Sequence, residues 1–458
     1  MLGWLCLQAG PASSEPLPPT ATERLIKEIG EHSQAMQNLE ELCDGIGGRM
    51  TGSQQLRTAQ GWAMQKLTAY GGVNVHEEAY DLGRPWKRGI ARARLLNANE
   101  GGLDILQKAW TAGTSGPIQG DVALLDVKTL DEFKAAAPGL RGKIVLVISA
   151  PTADEAQRKN PALFHAEVNK IVSDAHFGAV LLVSRKDGNL HEMWGGPRSR
   201  FDSNAGIITK QGASLLTRLL ARGVVARLEI ELGGGFGKDA VQAYNVVADF
   251  TGSEAPDEMV IIGAHQDSWD LGAGATDNGA GTVAAMEILR AMHAQGLKPK
   301  RTLRIVLFSG EEQGLLGSMA YVARHRSELS KVQAVFVQDA GAGRIVGFPD
   351  MKVEAWYARC RRRWRRPRRS ARSIFRTASA GVPITMCSSN RAYRRSLPCK
   401  SCSITGATPS IASSNNELDS IDYVAASDLV QGAQVMAVAA WGMLNGERLP
   451  HQKALPKP

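Results

Sequence analysis

Apolar residues recur at three- and four-residue steps over residues 21 to 38 and again over 53 to 70. That spacing lines one side of a helix and predicts two amphipathic helices. Between them GIGGRMTGS, Gly45 to Ser53, reads as a Gly-rich turn. From about residue 105 to 240 the pattern changes to short strand-like runs: GDVALLDV from Gly120, GKIVLVIS from Gly142 and GAVLLVS from Gly178. A helical stretch at about 160 to 176 separates the last two. GGGFGKD, from Gly233, reads as a flexible exit from this unit. From Asn245 onward, continuous apolar strands alternate with helices. EMVIIGAH, LRIVLFSG and VQAVFVQD read as strands; GTVAAMEILRAM and the segment from Gln313 to about Leu329 read as helices. ASDLVQGAQVMAVAAWGML reads as a long final helix. Strands that are apolar on both faces and alternate with helices predict an α/β fold, a mostly parallel (mixed) sheet sandwiched by helices.

Composition changes this picture in one place. The chain has 458 residues and a formal charge of +9, long enough for two or three domains. No apolar run reaches the length of a membrane span. Between Glu354 and Glu417 there is no Asp or Glu, while 13 Arg and one Lys stand there; removing those 14 cations takes +9 to −5. The stretch also shows no helical or strand periodicity and holds four of the six cysteines. We read residues 353 to 416 as an aberrant Arg-rich segment produced by a reading-frame error, in preference to a disordered basic insertion. A nucleic-acid surface would rest on this segment alone and is set aside. Cys399 and Cys402 form a C-x-x-C inside it without a second pair at zinc-ribbon spacing. Cys43 reads as a buried thiol.

The candidate chemistry lies at strand ends. His265 and Asp267 follow the first strand of the alternating region, Asp277 sits in a Gly-rich turn, Glu311 and Glu312 follow the second strand, and Asp339 ends the third. In parallel sheets the site lies at the carboxyl ends of the strands. Imidazole and carboxylate are the ligands of a borderline metal ion, and two ions held close together need a carboxylate between them. The ordinary readings are a structural His265, Asp277 as a helix N-cap and the Glu pair as first-turn acids. Asp339, closing an apolar run, would be costly unless paired or coordinated. His76-Glu77 and His191-Glu192 lack the second His of a helical zinc-protease motif, and no G-x-S-x-G elbow occurs.

The ordered set GIGGRMTGS, H-x-D-S-W-D, GATDNGAG, GEEQGLLGS and VQDAGAG resembles the di-zinc exopeptidase family that includes carboxypeptidase Q and secreted bacterial aminopeptidases. The resemblance runs from about Thr22 to Gly347 and resumes at about Leu418. It implies an inserted protease-associated-type domain at 105 to 240, set between peptidase parts at 21 to 104, 241 to 352 and 417 to 458. It implies two zinc ions, one held by His265 and Asp339, with Asp277 bridging and Glu312 on the second. It makes Glu311 the general base, Asp267 the support of His265, and the Asp277–Asn278 peptide bond cis. One departure stands out. The family carries a His where this chain has Asn415, although Asp419-Ser420 match the close of that motif.

These observations lead us to expect a zinc-dependent exopeptidase acting on dipeptides or short peptides. The alternative is a catalytically impaired, peptide-binding or receptor-like relative in which Asn415 cripples the second site. The expected partner is a peptide substrate, with no nucleic acid, no membrane span and a homodimer allowed. Residues 1 to 20 read as the back half of a secretory signal, which favours a secreted or periplasmic location over a cytoplasmic one. The frame-error reading is checked on the gene. Across codons 350 to 416, another frame should encode a segment with ordinary acid content and a His at the position of Asn415. The absence of any such frame would overturn it.

Overall fold

The computed structural model describes residues 19–97, 101–159, 161–197, 201–339, 341–345 and 416–448. The expectations for the first 18 residues, for Asn415 and for nearly all of the Arg-rich segment lie outside them. Among the described residues no helix is long and apolar enough to cross a membrane.

Five strands form the central sheet, in the spatial order Val73–Gly83, Val241–Phe250, Arg301–Phe308, Ala255–His265, Val332–Val337. The last three run parallel to one another; Val241–Phe250 pairs antiparallel with both Arg301–Phe308 and Val73–Gly83. The sheet is therefore mixed, as expected. Both of its faces are buried, which explains the unbroken apolar runs. Val260, Ile262, Leu303, Ile305 and Phe336 face one core, against helices Ala280–Ala294 and Ala426–Asn445. Met259, Ile261, Val306 and Val332 face the other, against Tyr321 of helix Leu316–Arg324.

The predicted helix at 21 to 38 is two helices, Ala21–His32 and Ala35–Cys43, because Ser33 takes an extended backbone. The helix expected from Gln313 starts only at Leu316, after a turn described below. Cys43 is buried, as expected, and burial pushes its thiol up to about 11.

A second sheet of nine strands, counted among the described residues, carries the runs 118–126, 144–149, 179–183 and 201–208 at its centre. Helix Lys210–Ala221 covers one face; helices Leu130–Ala136 and Pro161–Ala175 cover the other. The exit at Gly233 is not a loose tether. Gly235–Phe236 pairs with Trp86–Lys87, and the Gly234 N–H donates to the buried Gln107 side chain. An apolar cluster shared by both sheets, including Met50, Tyr80 and Trp269 from one side and Ala109, Trp110, Met193 and Ile207 from the other, packs the second unit onto the central one.

The N-terminal helix is pinned by a buried ionic triad. The Arg290 guanidinium donates two bonds to Glu287, at 2.8 and 2.9 Å, and a third to Glu28 at 2.8 Å. Glu287 is fully buried. Replacing Arg290 by Met should therefore leave an uncompensated carboxylate in the core and cost about 3–5 kcal/mol. Denaturant unfolding of the two proteins measures this, and a loss within error of zero would show that the triad adds nothing.

Candidate metal centre

Three parallel strands end on the same edge of the central sheet, and their last residues turn into loops that converge. His265 closes one strand, and its Nε2 lies 3.0 Å from Asp277 Oδ1 and 3.0 Å from Asp339 Oδ1. One donor atom from each of His265, Asp277 and Asp339 lies within 4.8 Å of the others. His265 is buried. Its Nδ1 is 2.9 Å from the Asp267 backbone carbonyl, which can only accept, so Nδ1 carries a proton and donates it. That bond fixes the ring and presents Nε2 to the two carboxylates, the orientation a metal ligand needs.

The expected role of Asp267 changes in one respect. Its carbonyl, not its carboxylate, holds the imidazole; Oδ1 is 3.6 Å from Nδ1, beyond hydrogen-bond reach. The fully buried carboxylate turns the other way. It accepts the Glu311 and Glu312 backbone N–H groups, both at 3.3 Å, and the Thr51 hydroxyl at 3.1 Å. Asp267 thus sets the turn that delivers both glutamates. The Glu pair consequently precedes helix Leu316–Arg324 rather than forming its first turn.

Glu312 lies outside the close trio. Burial lifts its carboxyl well above the usual range, and Asp277, then Glu311, add to the lift. For Glu311, burial and the neighbouring Asp339, Asp267 and Asp277 push the carboxyl up to about 8, against a smaller downward pull from His265. Asp339 is raised in the same way, by burial first. Half-buried, mutually repelling carboxylates beside a fixed imidazole are what a multivalent cation relieves. By donor chemistry the residues fit a zinc site.

Four contributors were not singled out as such in the sequence. Arg49, inside GIGGRMTGS, is fully buried and donates to the carbonyls of Gly47, Gln266, Ala273 and Gly274. It clamps the loop between His265 and Asp277 to the turn after helix Ala35–Cys43. Gly274 must be glycine, since its φ is +65° and a methyl there would sit 2.3 Å from Ser268 Cβ. Asp419 accepts the Thr276 N–H and hydroxyl, both at 2.7 Å, and burial pushes its carboxyl up to about 6. Gly279 takes the N-cap position of helix Ala280–Ala294, and Asn278, rather than Asp277, reaches into its first turn. Its side-chain oxygen accepts the Gly281 N–H at 3.0 Å, while its amide donates to the Gln338 carbonyl beside Asp339. The Asp277–Asn278 peptide bond is cis, as the resemblance implied. The polar signal in GIGGRMTGS was a lone Arg among glycines, which a pattern search for turns passes over.

Fold and site together place the chain among the α/β proteins that gather metal ligands at the carboxyl edge of a mixed sheet. The pattern of "Peptidase family M28" matches residues 245–348. Carboxypeptidase Q of Mus musculus is 33% identical over 316 residues, 68% of this chain and 65% of that protein. Carboxypeptidase Q of Xenopus laevis is 31% identical over 326 residues, 69% of this chain and 68% of that protein. The match thus spans about two-thirds of these relatives' length. Among solved structures, a peptidase M28 precursor from Shewanella amazonensis SB2B superposes with a TM-score of 0.75 at 24% identity, covering 95% of this chain and 98% of that one. A zinc aminopeptidase from Bacillus subtilis gives a TM-score of 0.60 at 16% identity, over 90% and 95%. The chain belongs to peptidase family M28.

The raised carboxyls set the pH behaviour of the metal-free protein. A carboxyl whose folded value lies above its unfolded one binds its proton more tightly in the fold, so stability falls as pH rises between the two. For Glu311 that interval runs from 4.5 to about 8. The metal-free chain should therefore lose stability between pH 5 and 8. Added zinc should restore more of it at pH 8 than at pH 5.5, with protons released on binding. Thermal unfolding with and without chelator, and calorimetry in buffers of different ionisation enthalpy, measure both. A zinc effect independent of pH would contradict the reading.

Proposed function

We propose that this chain is a zinc-dependent metallo-exopeptidase whose ligands are His265, Asp277, Glu312 and Asp339 and whose general base is Glu311. The observation that carries the reading is the convergence of His265, Asp277 and Asp339 from separate elements to within 4.8 Å on one sheet edge. The family membership and the zinc aminopeptidase named above support it. Residues 105 to 240, which supply seven of the nine strands of the second sheet, are read as the inserted protease-associated-type domain; Ala91–Leu95 and Gly102–Leu103 supply the other two.

Zinc, when bound, would polarise the peptide carbonyl and make water more acidic. The protein's own groups do the rest. His265 is held in one tautomer by the Asp267 carbonyl. Asp267, through two backbone N–H groups, keeps Glu311 turned into the cluster. Glu311 has its proton affinity raised by burial and neighbouring acids; as the carboxylate, which a cation bound beside it would favour, it would take a proton from the attacking water and return it to the departing amine. Burial of the cluster keeps bulk water from competing.

A second reading follows from Asn415. No His occurs between His325 and His451, and a carboxamide is a poor zinc ligand. The chain with this sequence should accordingly bind about one zinc ion tightly and turn over dipeptides poorly. Restoring the native frame across 353 to 416 should raise zinc to about two ions and restore hydrolysis of a free dipeptide. In that restored protein Glu311→Gln should keep its zinc and lose on the order of 100-fold or more in kcat. Metal analysis and a dipeptide panel test all three statements. Full activity in Glu311→Gln would place the base elsewhere, and two tightly bound zinc ions in the present chain would refute the Asn415 argument.

A further inference from the structure

The loop that joins His265 to Asp277 is held near both ends by groups of the central unit. Arg49 donates to the Gln266, Ala273 and Gly274 carbonyls, and Asp419 accepts the Thr276 N–H. Its middle is held from another direction. Asp270, seven residues before Asp277 in the chain, accepts a two-pronged bond from Arg88. Nε donates to Oδ2 at 2.8 Å, and Nη2 donates to Oδ1 at 2.7 Å. The two side chains are largely shielded, 16% and 22% exposed. A planar fork of this kind fixes the angle between two groups as well as their distance, which a point charge does not.

Arg88 is itself anchored on the second unit. It stands at the neck, between strand Trp86–Lys87 and strand Ala91–Leu95 of the second sheet. Its Nη1 donates to the carbonyl of Gln107, which ends strand Ile105–Gln107 of the same sheet, at 2.8 Å. Its guanidinium lies 5.1 Å from the centre of the Trp86 ring. Trp86 is buried, stacks on Trp110 and donates its indole N–H to the Thr111 carbonyl at 2.9 Å. Held by a carbonyl and an aromatic face, the guanidinium is a fixed point to which Asp270 is drawn. Beside Asp270, Trp269 packs into the apolar cluster that holds Trp86 and Trp110. An ionic and an apolar contact thus seat the loop on the second unit side by side. The second unit also presses on the neighbouring turn: a methyl on Gly196 would lie 2.4 Å from the carbonyl oxygen of Gln313, which follows Glu312.

Seating the loop matters because of what the loop carries. Asp277 Oδ1 lies 3.0 Å from His265 Nε2, and the Asp277 charge is one of those that raise Glu311 and Glu312. Acids that repel one another move apart unless the backbone restrains them, and a restraint already present need not be supplied by the arriving ion. We propose that Arg88 is a positioning residue: through Asp270 it seats the His265–Asp277 loop on the second unit, so that Asp277 meets His265 and the metal site is pre-organised. Asp277 as a metal ligand rests on the metallopeptidase reading; the seating of the loop does not.

The test uses the full chain with Arg88→Met and Arg88→Lys. Electrostatics and positioning predict opposite signs. Removing a positive charge near a cation site should by itself tighten zinc binding or leave it unchanged; loss of positioning weakens it. Competition with a chelator should show zinc binding about tenfold weaker in Arg88→Met. Arg88→Lys, which keeps the charge and loses the fork, should also bind zinc more weakly than the parent, and it carries the test should Arg88→Met fail to fold. In the metal-free variants, hydrogen exchange should quicken at the Gly274 and Thr276 amides, both bonded to Asp419. The expected change is about tenfold, with exchange in strand Ala255–His265 unchanged. Zinc binding as tight in both variants as in the parent, or exchange that quickens as much in the strand as in the loop, would overturn the positioning role. A parent that binds no zinc, with loop exchange still quickened in Arg88→Met, would uphold the seating of the loop and sink the metallopeptidase reading instead.

Discussion

The constraint on which this structure turns is the repulsion among carboxylates held out of water at the edge of one sheet. Burial and the crowding of neighbouring acids lift the carboxyls of Glu311, Glu312 and Asp339 there. A protein that builds such a cluster must hold it open by force of its surroundings. That explains why each acid is placed by backbone rather than by another side chain's charge. His265, Glu311 and Asp339 come from the ends of parallel strands that are apolar on both faces. Asp277 comes from a turn fixed by Arg49 on one side and Asp419 on the other. Loss of strand packing would release His265, Glu311 and Asp339 together, so the cluster depends on the stability of the sheet.

The same logic explains the division of labour among polar residues around the cluster. Asp267 is more buried than Asp277 and Asp339, yet three donors, two N–H groups and the Thr51 hydroxyl, meet its carboxylate locally. Those bonds make it a fixed support for the turn that carries Glu311 and Glu312. Asn278 performs a cap function that an Asp could also perform, and by doing so keeps Asp277 turned toward His265. Arg49 spends its guanidinium on carbonyls instead of on the acids. A direct Arg–carboxylate bond would neutralise a ligand; four carbonyl bonds bring positive potential to the site while the ligand oxygens remain with His265.

Much of this was legible in the sequence because the signals were local. Continuous apolar runs marked the three parallel strands, and the ligand-type residues at their ends marked the edge that matters. The two antiparallel strands, Val73–Gly83 and Val241–Phe250, were harder to see: both continue into polar residues where they leave the sheet. The break at Ser33 was hidden because both helices bury the same side. Arg49 and Asn278 were hidden because their partners are carbonyls and amides 200 or so residues away or within a turn, and no spacing rule encodes such bonds. Asp267 shows the limit of sequence spacing. Sequence places it two residues from His265, but only the backbone path shows that the carbonyl faces the ring and the carboxylate faces the next loop.

The junction between the two units completes the argument. An apolar cluster that draws Trp269 and Met50 from the central unit and Trp110 and Met193 from the second makes their packing continuous. His191, from the same loop as Met193, adds a polar tie, with Nδ1 2.6 Å from the carboxylate of Glu417, two residues before Asp419. Glu417 is held below the usual carboxylate range by that bond, against the upward effect of its burial. The second unit therefore grips the segment that anchors the Asp277 turn as well as the turn that carries Glu311 and Glu312.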